Sequence, residues 1–166
     1  MKLVTITHLE MVAPGQLKPK PSADPHFWVG EATVKQWEFN RFLYLLVGHD
    51  WSWNDKKIWT ERQWKKYAEA DNLRTFAAYF EGSVAGYYEM RWDDAKGIEI
   101  AIFGLAPKFT GRGFGAALLT HALEEAWRAN PLRVWLHTCS LDHPHALPNY
   151  QARGLQVFKV ETHSLR

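Results

Sequence analysis

The stretch from Gly97 to Trp127 limits what this chain can become more than any other. "GIEIAIFGLAP" is crowded with β-branched and aromatic residues and ends at Pro107, as a buried strand does. From Phe114 the apolar period changes. Phe114, Leu118, Ala122, Leu123, Ala126 and Trp127 share one helical face, while Thr120, His121, Glu124, Glu125 and Arg128 share the other. Between the two patterns lies "TGRGFG". A buried strand that hands over to an amphipathic helix through a glycine turn requires a sheet with helices packed on it.

The flanking sequence extends this pattern. "MKLVTITHLEM" alternates as a strand, and the proline-rich "APGQLKPKPSADP" reads as a loop lying over the domain. "ATVKQWEFNRFLYLLVG" predicts a helix capped by Thr33 and stopped at Gly48, and "TERQWKKYAEA" a second one capped by Thr60. "RTFAAYFEG" and "SVAGYYEMRW" form a hairpin around Glu81-Gly82-Ser83. "RVWLHTC" is a strand and "LQVFKVETHSL" another. Between them "ALPNYQARG" is a short helix ending at Gly154, its start shaped by Asp142 and delayed or bent by Pro148. The order β, α, α, β, β, β, α, β, α, β describes an α/β (α+β) fold with one mixed sheet. At 166 residues, without repeat or linker, residues 1–166 suit a single domain.

Composition excludes several classes. A formal charge of +2 falls short of a dedicated nucleic-acid binder. The N-terminus lacks the apolar core of a signal peptide and no stretch approaches membrane-spanning length, so the expectation is a cytoplasmic protein with no membrane partner. The single cysteine, Cys139, excludes an internal disulfide and fits a reducing compartment. Cys139, His143 and His145 match no standard zinc spacing, so no metal is expected.

The glycine turn carries the chemistry. Glycines let backbone N–H groups converge with no Cβ to block a ligand, and the helix behind adds its unpaired N–H groups and positive dipole end. Arg112 adds a formal charge, so the loop suits a phosphate or pyrophosphate. It is not a Walker A loop, because no Lys-Ser or Lys-Thr follows. The dinucleotide fingerprint fails too, since Ala116, Ala117 and Leu118 follow Gly115. A strand-to-helix turn that binds nothing is the remaining alternative on the loop alone.

"EIAIFGLAPKFTGRGFGAALL" resembles the acetyl-CoA-binding motif of the GCN5-related N-acetyltransferases (GNAT), [Q/R]-x-x-G-x-[G/A] after a strand, read here from Thr110 to Gly115. "DHPHALPNYQARGL" resembles the family's later element, with His143 in the place of an Asn, followed by Ala146, Tyr150, Gly154 and Leu155. The resemblance implies one mixed, mostly antiparallel twisted sheet flanked by about four helices. It also implies acetyl-CoA as cosubstrate, its pyrophosphate on the N–H groups of Gly111 to Gly115, with Arg112, Gly113 and Ala116 among the cofactor-binding residues. The pantetheine arm would pair with the main chain of Phe103 and Leu105, and the Phe103 N–H would face the thioester oxygen. Thr110 and His143 depart from the usual Gln or Arg and the usual Asn. Neither departure blocks binding through the backbone.

Acetyl transfer to an amine needs a proton acceptor and a donor for the leaving thiolate. By the same resemblance Glu99 is the base, directly or through water, and Tyr150 the acid. Read as residues alone, Glu99 also fits a solvent-facing strand position and Tyr150 a packing tyrosine. Nine tryptophans is unusual, and Trp51, Trp53, Trp59 and Trp64 crowd one segment. Trp51 and Trp53 would wall an acceptor pocket, with Asp50 and Asp55 drawing a protonated amine; core packing explains the same residues. The leading function is N-acetylation of a primary amine on a small molecule or peptide. The alternative is a non-catalytic coenzyme A-binding module. Lysines and aromatics interleave in "WSWNDKKIWTERQWKKY" as in single-strand binders, but a solvated helix face explains them, so no nucleic acid is expected. A homodimer is compatible with the sequence, which does not decide it.

Overall fold

The computed structural model describes residues 2–165. Glu81 and Gly82, at φ 49° and 82°, form the two-residue turn that joins β3 (Leu73–Phe80) to β4 (Ser83–Asp93). β5 (Gly97–Leu105) continues this meander. It then passes through a single 3₁₀ turn, Pro107–Phe109, and the glycine turn into α3 (Phe114–Arg128). β6 (Val134–Cys139), α4 (Ala146–Ala152) and β7 (Gln156–Leu165) complete the C-terminal part. Before the hairpin come β1 (Lys2–Met11), β2 (Phe27–Glu31), α1 (Trp37–Val47) and α2 (Glu61–Ala68).

The seven strands make one sheet in the order β2-β3-β4-β5-β6-β1-β7, antiparallel throughout except for β5–β6. That parallel pair is short: Ile98 faces Val134 and Glu99 faces Trp135, and no further pairing follows. The cause lies one strand away. Glu89 pairs with Ile102 while Met90 pairs with Ile100, which leaves Ala101 as a bulge in β5. A bulge bends its strand, here at the point where β5 parts from β6. The result is a wedge between the C-terminal halves of the two strands.

The predicted helical face of α3 is the centre of the core. Leu118, Leu119, Ala122, Leu123 and Ala126 are fully buried against Leu9, Tyr88, Met90, Ile98, Ile100 and Leu136. A smaller cluster of Leu43, Val47 and Tyr87, with Phe39 and Trp53 around it, joins α1 to the opposite face of the sheet.

Four sequence readings change. β2 was not foreseen. Its five residues pair with β3, and Ala32 prolongs the edge by donating to the Thr75 carbonyl at 2.9 Å. The chain therefore cannot turn into a helix at Thr33; Gln36, still extended at φ −136°, is the N-cap of α1. Asp142 does not cap α4. Its Oδ2 accepts from the Thr138 hydroxyl at 2.6 Å and from the Cys139 N–H at 2.9 Å, closing the turn after β6. Thr120, assigned to the polar face of α3, is buried because the proline-rich segment covers it: the Lys20 N–H donates to its Oγ1 at 2.9 Å. That segment lies over the domain as expected, and the Lys18 N–H reaches the Arg153 carbonyl at 2.9 Å. Thr60, by contrast, caps α2 with its own side chain, accepting from the Gln63 N–H.

Candidate active site

The wedge opens into a cavity of about 650 Å³, the size of a site for a small molecule or cofactor. Two unlike halves meet in it. One is backbone and apolar surface around the glycine turn; the other is a charged and aromatic chamber beneath α1 and α2.

In the first half, Gly111 and Gly113 adopt left-handed conformations, φ 76° and 80°, and Gly113 is the N-cap of α3. A Cβ at either position would meet nothing within 4 Å, so the turn faces open space. Among the described residues, no backbone carbonyl accepts from the N–H groups of Gly111 to Gly115. With the helix dipole behind them, these donors form an anion cradle. Thr110, Gly111, Gly113, Gly115 and Ala116 all line the cavity, as do Phe103 and Leu105 on the parted edge of β5. Thr110 spends its hydroxyl on the Pro107 carbonyl at 3.0 Å. Arg112 is not on the cavity wall; its guanidinium lies 4.6 Å from the ring of Phe80 and 5.1 Å from that of Phe114.

α4 supplies the opposite wall. His143 lines the cavity and packs edge-on against Trp51 at 4.9 Å. Its Nδ1 accepts the His145 N–H at 3.0 Å, which leaves the ring proton on Nε2 as a donor. Burial, with His145 beside it, lowers its pKa and keeps it neutral. Tyr150 is buried, its ring edge-on to Phe103 at 5.8 Å, and its hydroxyl makes no protein hydrogen bond among the described residues. Burial pushes the phenol upward, so it holds its proton at neutral pH. Asn149 was not singled out from the sequence, yet it lines the cavity with its amide beside Gly115.

The second half is an interlocked set of polar side chains. Glu99 and Arg91 sit opposite each other on β5 and β4, and the Arg91 guanidinium donates to Glu99 Oε2 at 2.7 Å. His137 of β6 lies 4.0 Å from the other oxygen, Oε1. The Tyr44 hydroxyl donates to Asp55, and burial together with that carboxylate raises the phenol's pKa. Lys56 pairs with Asp55 at 3.2 Å and lays its ammonium 4.7 Å from the Trp59 ring and 5.2 Å from the Tyr67 ring. Tyr67 donates at 2.8 Å to Glu89, whose other oxygen accepts from Asn40 at 2.6 Å. Glu89 is fully buried, and burial raises its pKa against the pull of these two donors.

The tryptophan cluster divides between the two sequence readings. Trp51 and Trp53 line the cavity. Trp53 also lies over Gly104, where a Cβ would come within 2.5 Å of Val47 and 3.4 Å of the indole. Trp64 is fully buried and belongs to the core. Asp55 is on the cavity wall, but Asp50 is not; it is exposed beside His49. Arg91, His137, Lys56 and Tyr67 escaped the sequence reading. Arg91 and His137 sit on strands and Tyr67 on α2, and the partners that give them meaning, Glu99 and Glu89, lie on other elements.

Residues 32–155 match the family model described as the acetyltransferase (GNAT) family. Similar solved structures include a GCN5-related N-acetyltransferase from Sphaerobacter thermophilus, 17% identical, with a TM-score of 0.73 over 96% of this chain and 50% of that one. A functionally unknown conserved protein from Staphylococcus epidermidis ATCC 12228 is 16% identical, with a TM-score of 0.67 over 97% of this chain and 60% of that one. An aminoglycoside acetyltransferase from an uncultured soil metagenomic sample, in complex with trehalose, is 14% identical, with a TM-score of 0.64 over 80% of this chain and 90% of that one. The chain thus spans 50% to 60% of the length of the first two. At these identities the likeness is one of fold. No curated protein matches the chain. No helix among the described residues is long and apolar enough to cross a membrane.

Proposed function

The chain belongs to the acetyltransferase (GNAT) family, and on that premise we propose that it moves an acetyl group from acetyl-CoA directly to a primary amine. The observation that carries this reading is the wedge. A strand edge freed by the Ala101 bulge leads straight to five N–H groups without backbone acceptors at the start of α3. The parted edge at Phe103 and Leu105 suits an amide-bearing arm, and the glycine turn suits a pyrophosphate. This assignment uses main chain alone, so Thr110 and His143 need not reproduce the family's usual side chains. The Nε2–H of His143 and the amide of Asn149 offer donors on the α4 side.

The thioester supplies the acetyl group; the chain's own residues supply the rest. An aliphatic ammonium, with a pKa near 10 in water, loses one proton to the side of the wedge where Glu99 lies. The free amine attacks the carbonyl carbon, the C–N bond forms, and the Phe103 N–H stabilises the oxyanion. As the C–S bond breaks, the thiolate takes a proton from Tyr150, and the second amine proton passes to the tyrosinate and restores it. The products are an amide, a thiol and one released proton.

Calorimetric titration with acetyl-CoA and with free coenzyme A tests the cosubstrate. An amine panel of methylamine, spermidine, glucosamine and a lysine peptide, followed by thiol release, tests the transfer. Saturable binding with thiol release on any of these amines is expected. Binding without turnover would leave a coenzyme A-binding module, and no binding at millimolar ligand would remove both.

A further inference from the structure

Glu99 is poorly placed to act alone as the proton acceptor. Its side chain is only 11% exposed, and one carboxylate oxygen is held at 2.7 Å by the Arg91 guanidinium. An oxygen already engaged by a guanidinium is not free to take a proton from the amine. The second oxygen of Glu99 points to a better candidate. His137 lies 4.0 Å away with its side chain 48% exposed, and it lines the same cavity. Glu99 and His137 come from the two strands that part to form the wedge: Glu99 is the last paired residue of β5, and His137 follows its partner Trp135 on β6.

We infer that His137 is the general base for the acceptor amine and that Glu99 is its positioning residue. The inference rests on the acetyl-transfer reading above. The neutral imidazole accepts one proton from the ammonium, the freed amine forms the C–N bond, and the imidazolium returns its proton to solvent through its exposed side. Glu99 orients the ring, as a carboxylate behind a histidine does elsewhere, and Arg91 holds Glu99 in place. The 4.0 Å gap is that of an ion pair and closes by a small ring rotation or through one water. The groups facing His137 are Glu99 of β5, which Arg91 of β4 holds by its other oxygen, and His8 of β1, whose ring centre lies 5.6 Å away. His8 is itself tied at 2.8 Å to Glu161 of β7.

The test measures turnover against pH for the wild type, His137→Gln, His137→Asn and Glu99→Gln. Methylamine, the smallest member of the panel, serves as acceptor alongside the best amine found. His137→Gln is expected to lower kcat at least a hundredfold at pH 7 and to abolish the acidic limb of the profile, with acetyl-CoA affinity unchanged. His137→Asn guards against a fault peculiar to one substitution. Glu99→Gln is expected to cost about tenfold and to keep the limb. Histidine variants that keep both rate and limb, with Glu99→Gln inactive, would overturn the inference while leaving the transferase standing. A wild type that binds acetyl-CoA yet acetylates no amine would overturn both.

Discussion

The two halves of the cavity are built from different materials. Around the glycine turn the functional groups are main-chain N–H donors, held in place by φ angles and a helix. Beneath α1 and α2 they are side chains, each fixed by another: Arg91 by Glu99, Tyr44 by Asp55, Tyr67 by Glu89, Glu89 by Asn40. A backbone site tolerates most side-chain changes and fails only where the conformation itself is lost. A side-chain network can be retuned at any member, and every loss leaves a partner unsatisfied.

The sharpest way to break this contrast is Gly113→Glu. It forces a side chain into a left-handed position, at a cost of roughly 1–2 kcal/mol, and sets a negative charge at the anion cradle. Acetyl-CoA affinity is expected to fall at least a hundredfold by calorimetry, with the far-ultraviolet circular dichroism unchanged. Tyr150→Phe removes a single hydroxyl; kcat is expected to drop about thirtyfold with little change in acetyl-CoA affinity. If turnover survives unchanged across the pH range, Tyr150 is not the acid.

On the network side, Asn40→Ala strips a donor from the buried Glu89 carboxyl and leaves Thr75 without its partner. Urea unfolding at pH 7 is expected to show a loss of about 2 kcal/mol. Glu89→Gln adds a pH signature. Burial raises the Glu89 pKa above the ordinary glutamate range, so the folded state holds its proton where the unfolded state has lost it. Its contribution is complete at low pH and declines as pH rises through that raised value. The stability of Glu89→Gln relative to wild type should therefore improve from pH 5 to pH 8, and a flat difference would remove Glu89 from the argument. Thr110→Gln, which restores the usual family residue, is expected to change acetyl-CoA affinity by less than fivefold. A larger gain would show that the cradle depends on side chains after all.

The same division explains what could be read before the structure was known. The strand, glycine turn and helix were legible because local sequence dictates them: β-branched residues, left-handed glycines and one apolar helical stripe. Every residue assigned to the cosubstrate except Arg112 lines the cavity. Arg112 is drawn off by its neighbours Phe109 and Phe114 and by Phe80 of β3, a remote partner that no local pattern encodes. β2 was missed because five residues beside a proline-rich loop carry too little period, and its pairing with β3 is what makes it a strand. That pairing also displaced the start of α1 from Thr33. The acceptor chamber was least legible. His137 on "RVWLHTC" is an ordinary strand histidine until β5 brings Glu99 beside it.

The place of β1 in the sheet has a consequence for when this molecule can work. β6, one wall of the wedge, shares only two register pairs with β5 but six with β1, from Ile6–Cys139 to Met11–Val134. β1 in turn is flanked by β7, with Lys2 opposite Leu165. β1 therefore waits for β6 and β7, which follow it after most of the described residues, and closing so long a loop is slow and entropically costly. Folding of the central meander and α3 can proceed from near neighbours, but the wedge acquires its second wall only when the two ends of the described chain meet. On this architecture the wedge is ready only once β1 has paired with β6.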